Sequence, residues 1–174
     1  MVPGGRSWLP PTIPYFKNSA TNSNSSPATS VQTTGLNPYP MNKAIPRGIR
    51  NNNPLNIRIG NVWLGEVDNP TDPHFEQFIS MMYGVRAGFV LIRRYINHYH
   101  RDTVPQVISA WAPSSENDTT KYIDRVCQLS EIGPDEKLVY SNMEQMLRLV
   151  DAMIVVECGQ HISEQAIRDG YLHA

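Results

Sequence analysis

Glu157 is the residue most sharply placed for chemistry. It falls three and four residues beyond Ile154 and Met153, so it continues the apolar stripe of a helix that runs toward Gly159. A carboxylate on that stripe loses hydration, which disfavours its charged form and raises its pKa toward what a general acid needs near neutral pH. The competing reading is a Glu on the solvated edge of a helix that Gly159 simply ends. A second carboxylate, from Glu66, Asp68 or Asp72, could steady an oxocarbenium-like transition state or activate water; spacing selects none of the three.

The other dense block is Arg47-Gly48-Ile49-Arg50-Asn51-Asn52-Asn53-Pro54-Leu55-Asn56-Ile57-Arg58. Asn tolerates left-handed backbone and caps its own turns, and Pro54 holds Asn53 extended, so a rigid irregular loop leading into a strand at Asn56 to Ile59 is expected. Adjacent amides offer donors and acceptors together, which suits a ligand of hydroxyl and N-acetyl groups. Asn52, Asn53 and Asn56 are therefore candidate substrate contacts, against the alternative that they satisfy only local backbone. Trp111 to Thr119, with Glu116 and Asn117 between, joins an aromatic face to a polar loop; it could line a sugar cleft, or Asp118 or Thr119 could merely cap a helix with Trp111 in the core.

Other chemistries drop out. The histidines at 74, 98, 100, 161 and 173 form no ligand pattern, and Cys127 and Cys158 lack a C-x-x-C partner, so no metal is expected and both cysteines read as reduced, buried residues. No G-x-S-x-G turn and no glycine-rich phosphate loop is present, and no cofactor is implied.

Five helices should position these residues. From Tyr83 onward, Val85, Phe89, Ile92, Ile96 and Tyr99 fall on one stripe. A second helix follows Asp102 or Thr103 and runs through Val107, Ile108 and Trp111 until Pro113; a third, capped by Asp118 or Thr119, carries Tyr122, Ile123, Val126 and Cys127. Ser141 with Glu144 reads as a capping box for a fourth, carrying Met146, Leu147, Val150, Met153 and Ile154 to Glu157; Ser163 opens a last helix that Gly170 closes, with Ile162 and Ile167 as a staple. Before them, between Asn56 and Ile79, short apolar pieces alternate with turns at Gly60-Asn61, Asn69-Pro70 and Asp72-Pro73, which predicts a small β lobe containing Trp63. The fold class is mainly α (α+β).

Residues 1–42 form an extended Pro/Ser/Thr/Asn-rich arm ahead of a domain at 43–174. Its Trp8, Leu9, Ile13, Tyr15 and Phe16 would serve as anchors in a groove of a partner. No Asp or Glu occurs before Glu66, yet the net charge of the 174 residues is -1 and cations are dilute in the arm, which argues against nucleic acid as a general partner. No signal-peptide core and no segment long enough to span a bilayer is present.

Arg47 to Arg58, Trp63-x-Gly65, Phe75-x-x-Phe78, Tyr83-Gly84-x-Arg86-Ala87, Trp111-Ala112-Pro113-x-x-Glu116-Asn117-x-Thr119 and Tyr122 together resemble a family of phage virion-associated proteins. The series is also similar to the Asn-Asn-Pro, Trp-x-Gly and Phe-x-x-Phe motifs of bacterial glucosaminidases and lytic transglycosylase-type enzymes with the lysozyme-like fold. In those enzymes the helix ending in the general-acid Glu precedes the Asn-Asn-Pro segment, whereas here Glu157-Cys158-Gly159 follows it, and Cys158 stands where they commonly have Ser. The resemblance thus implies a circularly permuted lysozyme-like domain. It further implies a virion location, glycan strands of peptidoglycan as substrate with Asn52, Asn53, Asn56, Trp63, Glu116 and Asn117 positioning them, and other virion proteins as partners of the arm. A non-catalytic capsid or tail adaptor using the same domain is the alternative.

Overall fold

The computed structural model describes residues 45–113 and 118–174. The expected anchors Trp8, Leu9, Ile13, Tyr15 and Phe16, and the candidates Glu116 and Asn117, lie outside the described residues. The order of elements is α1 (Arg47–Arg50), α2 (Met81–Asn97), α3 (Val104–Trp111), α4 (Thr119–Ser130), α5 (Met143–Cys158) and α6 (Glu164–Leu172). The architecture is mainly helical.

Burial follows the expected periodicity in α2, where Val85, Phe89, Ile92 and Ile96 all face the core. The helix begins two residues earlier than Tyr83 and ends at Asn97, so Tyr99 lies beyond it and is exposed. Thr103 precedes α3, Pro105 sits in its first turn, and Asp118 caps α4 by accepting the Lys121 N–H. In α5 the cap is Asn142, whose side chain accepts the Gln145 N–H at 3.2 Å; the Ser141–Glu144 box does not form. Gly159 ends α5 with φ 70°, as its type suggests.

Gly170 does not close α6, which continues to Leu172. It is buried against α2, where a Cβ would lie 2.6 Å from Val85 Cγ1, and its lack of a side chain lets the two helices approach. Tyr171 meets Phe89 edge to face at 5.3 Å across the same contact. α6 thus lies along α2, α4 along α5, and α3 against α4, enclosing Trp111, Phe89, Ile108, Met146 and Met153.

The expected strand at Asn56 to Ile59 and the β lobe after it reduce to two isolated antiparallel bridges, Arg58 with Phe75 and Glu66 with Phe78. Backbone bonds pair residues 57–59 with 74–76, through Glu76 N–H to the Ile57 carbonyl and Ile59 N–H to the His74 carbonyl, and residues 65–67 with 77–79, through Val67 N–H to the Gln77 carbonyl and Ile79 N–H to the Gly65 carbonyl. Beyond these short pairings side chains take the backbone groups. Asn53 Oδ1 accepts from Ile57 N–H, Asp72 Oδ1 from His74 and Phe75, and Gln77 Oε1 from Thr71 and Asp72. With Pro70 and Pro73 removing further donors, no ladder can propagate.

The asparagine loop is wedged between α2 and the end of α5. Asn52 and Asn56 adopt left-handed backbone at φ 50° and 49°. The Asn52 carbonyl lies where a Cβ on Gly84 would sit, 1.9 Å away, so this glycine seats the loop on α2. On the other side Gly48 backs onto the Cys158 thiol, whose S–H donates to the Pro54 carbonyl at 3.2 Å. No described helix is long and apolar enough to cross a membrane.

Candidate active site around Glu157

The wedge brings Asn56 to the last turn of α5, where its Nδ2 donates to Glu157 Oε2 at 2.9 Å. Tyr122, buried on α4, donates its hydroxyl to Oε1 at 2.8 Å. Trp111 is fully buried at the end of α3; its Nε1–H lacks a hydrogen bond of ordinary geometry but still helps stabilise the Glu157 anion. Four separate elements therefore converge on one carboxyl. Each of its oxygens keeps a second lone pair that can carry a transferable proton.

Burial pushes the Glu157 pKa up, and the bonds from Asn56 and Tyr122, with the nearby Trp111 N–H, pull it back only in part. No described ion pair includes it. Burial, then the neighbouring Glu157 charge, also holds the Tyr122 hydroxyl well above its ordinary range and pushes the Cys158 thiol to about 12. Cys158 is consequently a protonated packing residue, not a nucleophile. Glu157 as a residue is partly exposed, while its carboxyl lies among Asn56, Tyr122 and Trp111.

The comparison with known proteins bears on what such a site belongs to. No family model matches the chain. Over 128 residues it is 39% identical to Protein P5 of Pseudoalteromonas phage PM2, covering 71% of this chain and 78% of that protein. The chain belongs to the Protein P5 family. Its kinship is thus with a bacteriophage protein, and a match of 128 residues must fall mostly outside the first 44.

Within this P5-family chain the remaining candidates are dispersed. Asn53 is wholly buried and its amide is consumed: Nδ2 donates to the Ile57 and Glu76 carbonyls, and Oδ1 accepts from Ile57. It is scaffold, offering nothing to a ligand. Asn52 is partly buried and donates to the Phe78 carbonyl, and Trp63 packs on the edge of the core. Trp111 is in the core and Asp118 caps α4, which favours the capping reading of that segment, although the Trp111 ring edge still faces Glu157.

None of the three proposed second carboxylates touches Glu157. Asp72 accepts from Asn51 and pairs with Arg47 at 3.5 Å, and hydrogen bonds hold its pKa below the usual range despite burial. Glu66 accepts the Trp63 backbone N–H, and Asp68 is exposed.

Sequence reasoning missed Glu76. It is only 7% exposed, and burial followed by the Glu66 charge pushes its pKa up to about 7, opposed by N–H groups of Asn61, Gly60 and Trp63. A polar residue beside Phe75 reads as outward-facing in a two-sided strand; one isolated bridge imposes no such alternation, and Glu76 turns inward. Among the described residues no group of acidic, His and Cys side chains could hold a metal ion.

Proposed function

We propose that this chain is a virion-associated protein that cleaves the glycan strands of peptidoglycan on the way into the host cell, with Glu157 as the general acid. The observation that carries the reading is a raised-pKa carboxyl, unpaired with any cation, held by Asn56 and Tyr122 at a partly exposed helix end. Glu157 would protonate the glycosidic oxygen as the C–O bond breaks; a lobe carboxylate or the substrate's own N-acetyl or hydroxymethyl group would trap the cation, giving a hydrolysed or an anhydro sugar. Asn52, Trp63, Glu116 and Asn117 would contact the glycan, while Asn56 positions the acid. The domain would be a permuted lysozyme-like one, with the arm as its tether to other virion proteins.

Zymography on purified peptidoglycan with wild type and Glu157→Gln tests this. Clearing by wild type alone supports the acid assignment, since Gln keeps the shape and the bond to Asn56 but has no proton to give. Clearing by both variants moves the acid elsewhere, and clearing by neither removes the enzyme reading. A structural adaptor is the second reading, and a specific feature favours it: Ile59, Val62, Leu64 and Ile79 of the irregular lobe are exposed, with Ile79 N–H on the Gly65 carbonyl beside Leu64. Such uncovered aliphatic side chains suit contact with another particle protein.

A further inference from the structure

Trp111 brings an indole N–H into the interior without an ordinary hydrogen bond to receive it. The residue ends α3 and is wholly buried, and no acceptor meets its Nε1 at normal geometry. Native interiors seldom leave such a donor idle without a reason. The ring is held from two sides. Tyr95 of α2 meets it edge to face at 6.5 Å, and the Thr119 hydroxyl of α4 donates to the carbonyl of the next residue, Ala112, at 2.7 Å. Thr119 stands one turn before Tyr122, so the bond that fixes the end of α3 also sets the indole beside the hydroxyl that donates to Glu157. The acceptor its N–H faces is the Glu157 carboxyl, whose charged form it favours.

We propose that Trp111 is a positioning residue for the Glu157 anion: its N–H stands idle against the protonated acid and closes on the carboxylate once the proton has left, completing a seat with Asn56 and Tyr122. Its place in turnover rests on the reading of Glu157 as the general acid. In that step the O–H proton passes to the glycosidic oxygen, the O–H electron pair stays on the carboxyl, and the glycosidic C–O pair leaves with the departing oxygen. No bond within Trp111 breaks.

A hydrogen bond to a carboxylate is shorter and roughly twice as strong as one to a neutral group, so the seat tightens as charge appears. Asn56 and Tyr122 already bond the two oxygens, at 2.9 and 2.8 Å, and orient the acid before reaction. The indole is the contact that separates the two protonation states, and stabilisation gained only as the proton leaves is the kind that speeds a reaction. Among the described residues, the other titratable groups facing the carboxyl are Tyr122 from α4 and Cys158 from α5 itself. Burial holds both protonated through neutral pH, and the contact from the loop, Asn56, is uncharged.

NMR titration of the full chain, isotope-labelled at its indole nitrogens and Glu carboxyl carbons, tests this. In a second protein Trp111 is replaced by benzothienylalanine, which keeps the fused-ring shape with sulfur in place of the N–H; the indole signal it lacks is that of Trp111. Glu157→Gln assigns the carboxyl in the same way. In wild type the Trp111 N–H signal should move downfield with the midpoint of the Glu157 carboxyl, and it should stay fixed in Glu157→Gln. The sulfur analogue should raise the Glu157 pKa by about one unit, the worth of one bond to a charged acceptor. An indole signal that ignores the Glu157 midpoint, or a pKa unmoved by the sulfur, would overturn the proposal. Neither readout needs turnover, so a protein that titrates this way yet clears no peptidoglycan loses the glycosidase reading and keeps the three-donor seat.

Discussion

Replacing Glu76 by Gln should make the protein's stability less sensitive to pH in a defined window. Glu76 is buried beside Glu66, and its pKa stands at about 7 against an ordinary 4.5. In that interval the folded chain holds a proton that the unfolded chain has released, so stability is fully present below about pH 4.5 and is lost as pH rises through 7. Each pH unit is worth about 1.4 kcal/mol, which makes the loss about 3 kcal/mol across the window. Gln is neutral throughout and can still accept the backbone N–H groups of Gly60 and Asn61. Urea unfolding of both proteins at pH 4.5 and pH 8 reads the effect, because titrations shared by both cancel in the difference. The wild-type midpoint should fall relative to Glu76→Gln by on the order of 2 M urea between the two pH values. Glu66→Gln should shrink that gap by removing the like charge. A difference that stays constant with pH would refute the reasoning.

Other perturbations probe the frame and the site. Gly84→Ala should cost about 3 kcal/mol or more, since its Cβ would meet the Asn52 carbonyl at 1.9 Å, whereas Gly88→Ala meets only the movable Leu55 Cδ1 and should cost about 1–2 kcal/mol; thermal melts of the pair check the ranking. Asn53→Ala strands the Ile57 and Glu76 backbone groups in the interior and should destabilise by about 3 kcal/mol in urea titration. Tyr122→Phe removes a donor that favours the charged form of Glu157, so its pKa should rise further. If Glu157 is the acid, the alkaline limb of the clearing-rate profile on peptidoglycan should move to higher pH.

The helices were legible where local chemistry sets them. Asp118 and Gly159 act at the ends where their residue types put them, Ser163 stands at the start of α6 without a capping bond, and the stripe from Val85 to Ile96 is buried as spaced. Gly170 misled because its absent side chain serves packing against Val85, a demand from another helix that no local rule contains. The β lobe shrinks to two short antiparallel pairings because Asn53, Asp72 and Gln77 take backbone hydrogen bonds that a longer ladder would need. Asn56 and Glu157 were each conspicuous alone, yet 101 residues separate them and no periodicity spans that interval. Tyr122 stood out as part of a motif, and its contact with the acid is visible only once α4 lies along α5.

The asparagine block divides its labour in a way that bears on Glu157. Asn51, Asn52 and Asn53 bond to Asp72, the Phe78 carbonyl and the buried turn, and so hold the loop together; Asn56 alone reaches the acid. The same block contains cations that could have neutralised a buried carboxylate. Two of them are turned elsewhere and the third, Arg50, is exposed: Arg47 pairs with Asp72 and lies 5.0 Å from the Phe75 ring, and Arg58 lies 5.6 Å from the same ring. A carboxylate retained only for stability is expected to draw on such a neighbour, because an uncompensated charge in a desolvated place costs several kcal/mol. Glu157 instead receives two neutral donors that fix its orientation and leave its pKa raised, which is the combination a proton donor requires. Glu76 is also buried with a raised pKa and in no described ion pair, but only Glu157 is held by Asn56 and Tyr122 at a partly exposed helix end, and that is the physical ground for the proposal at the end of α5.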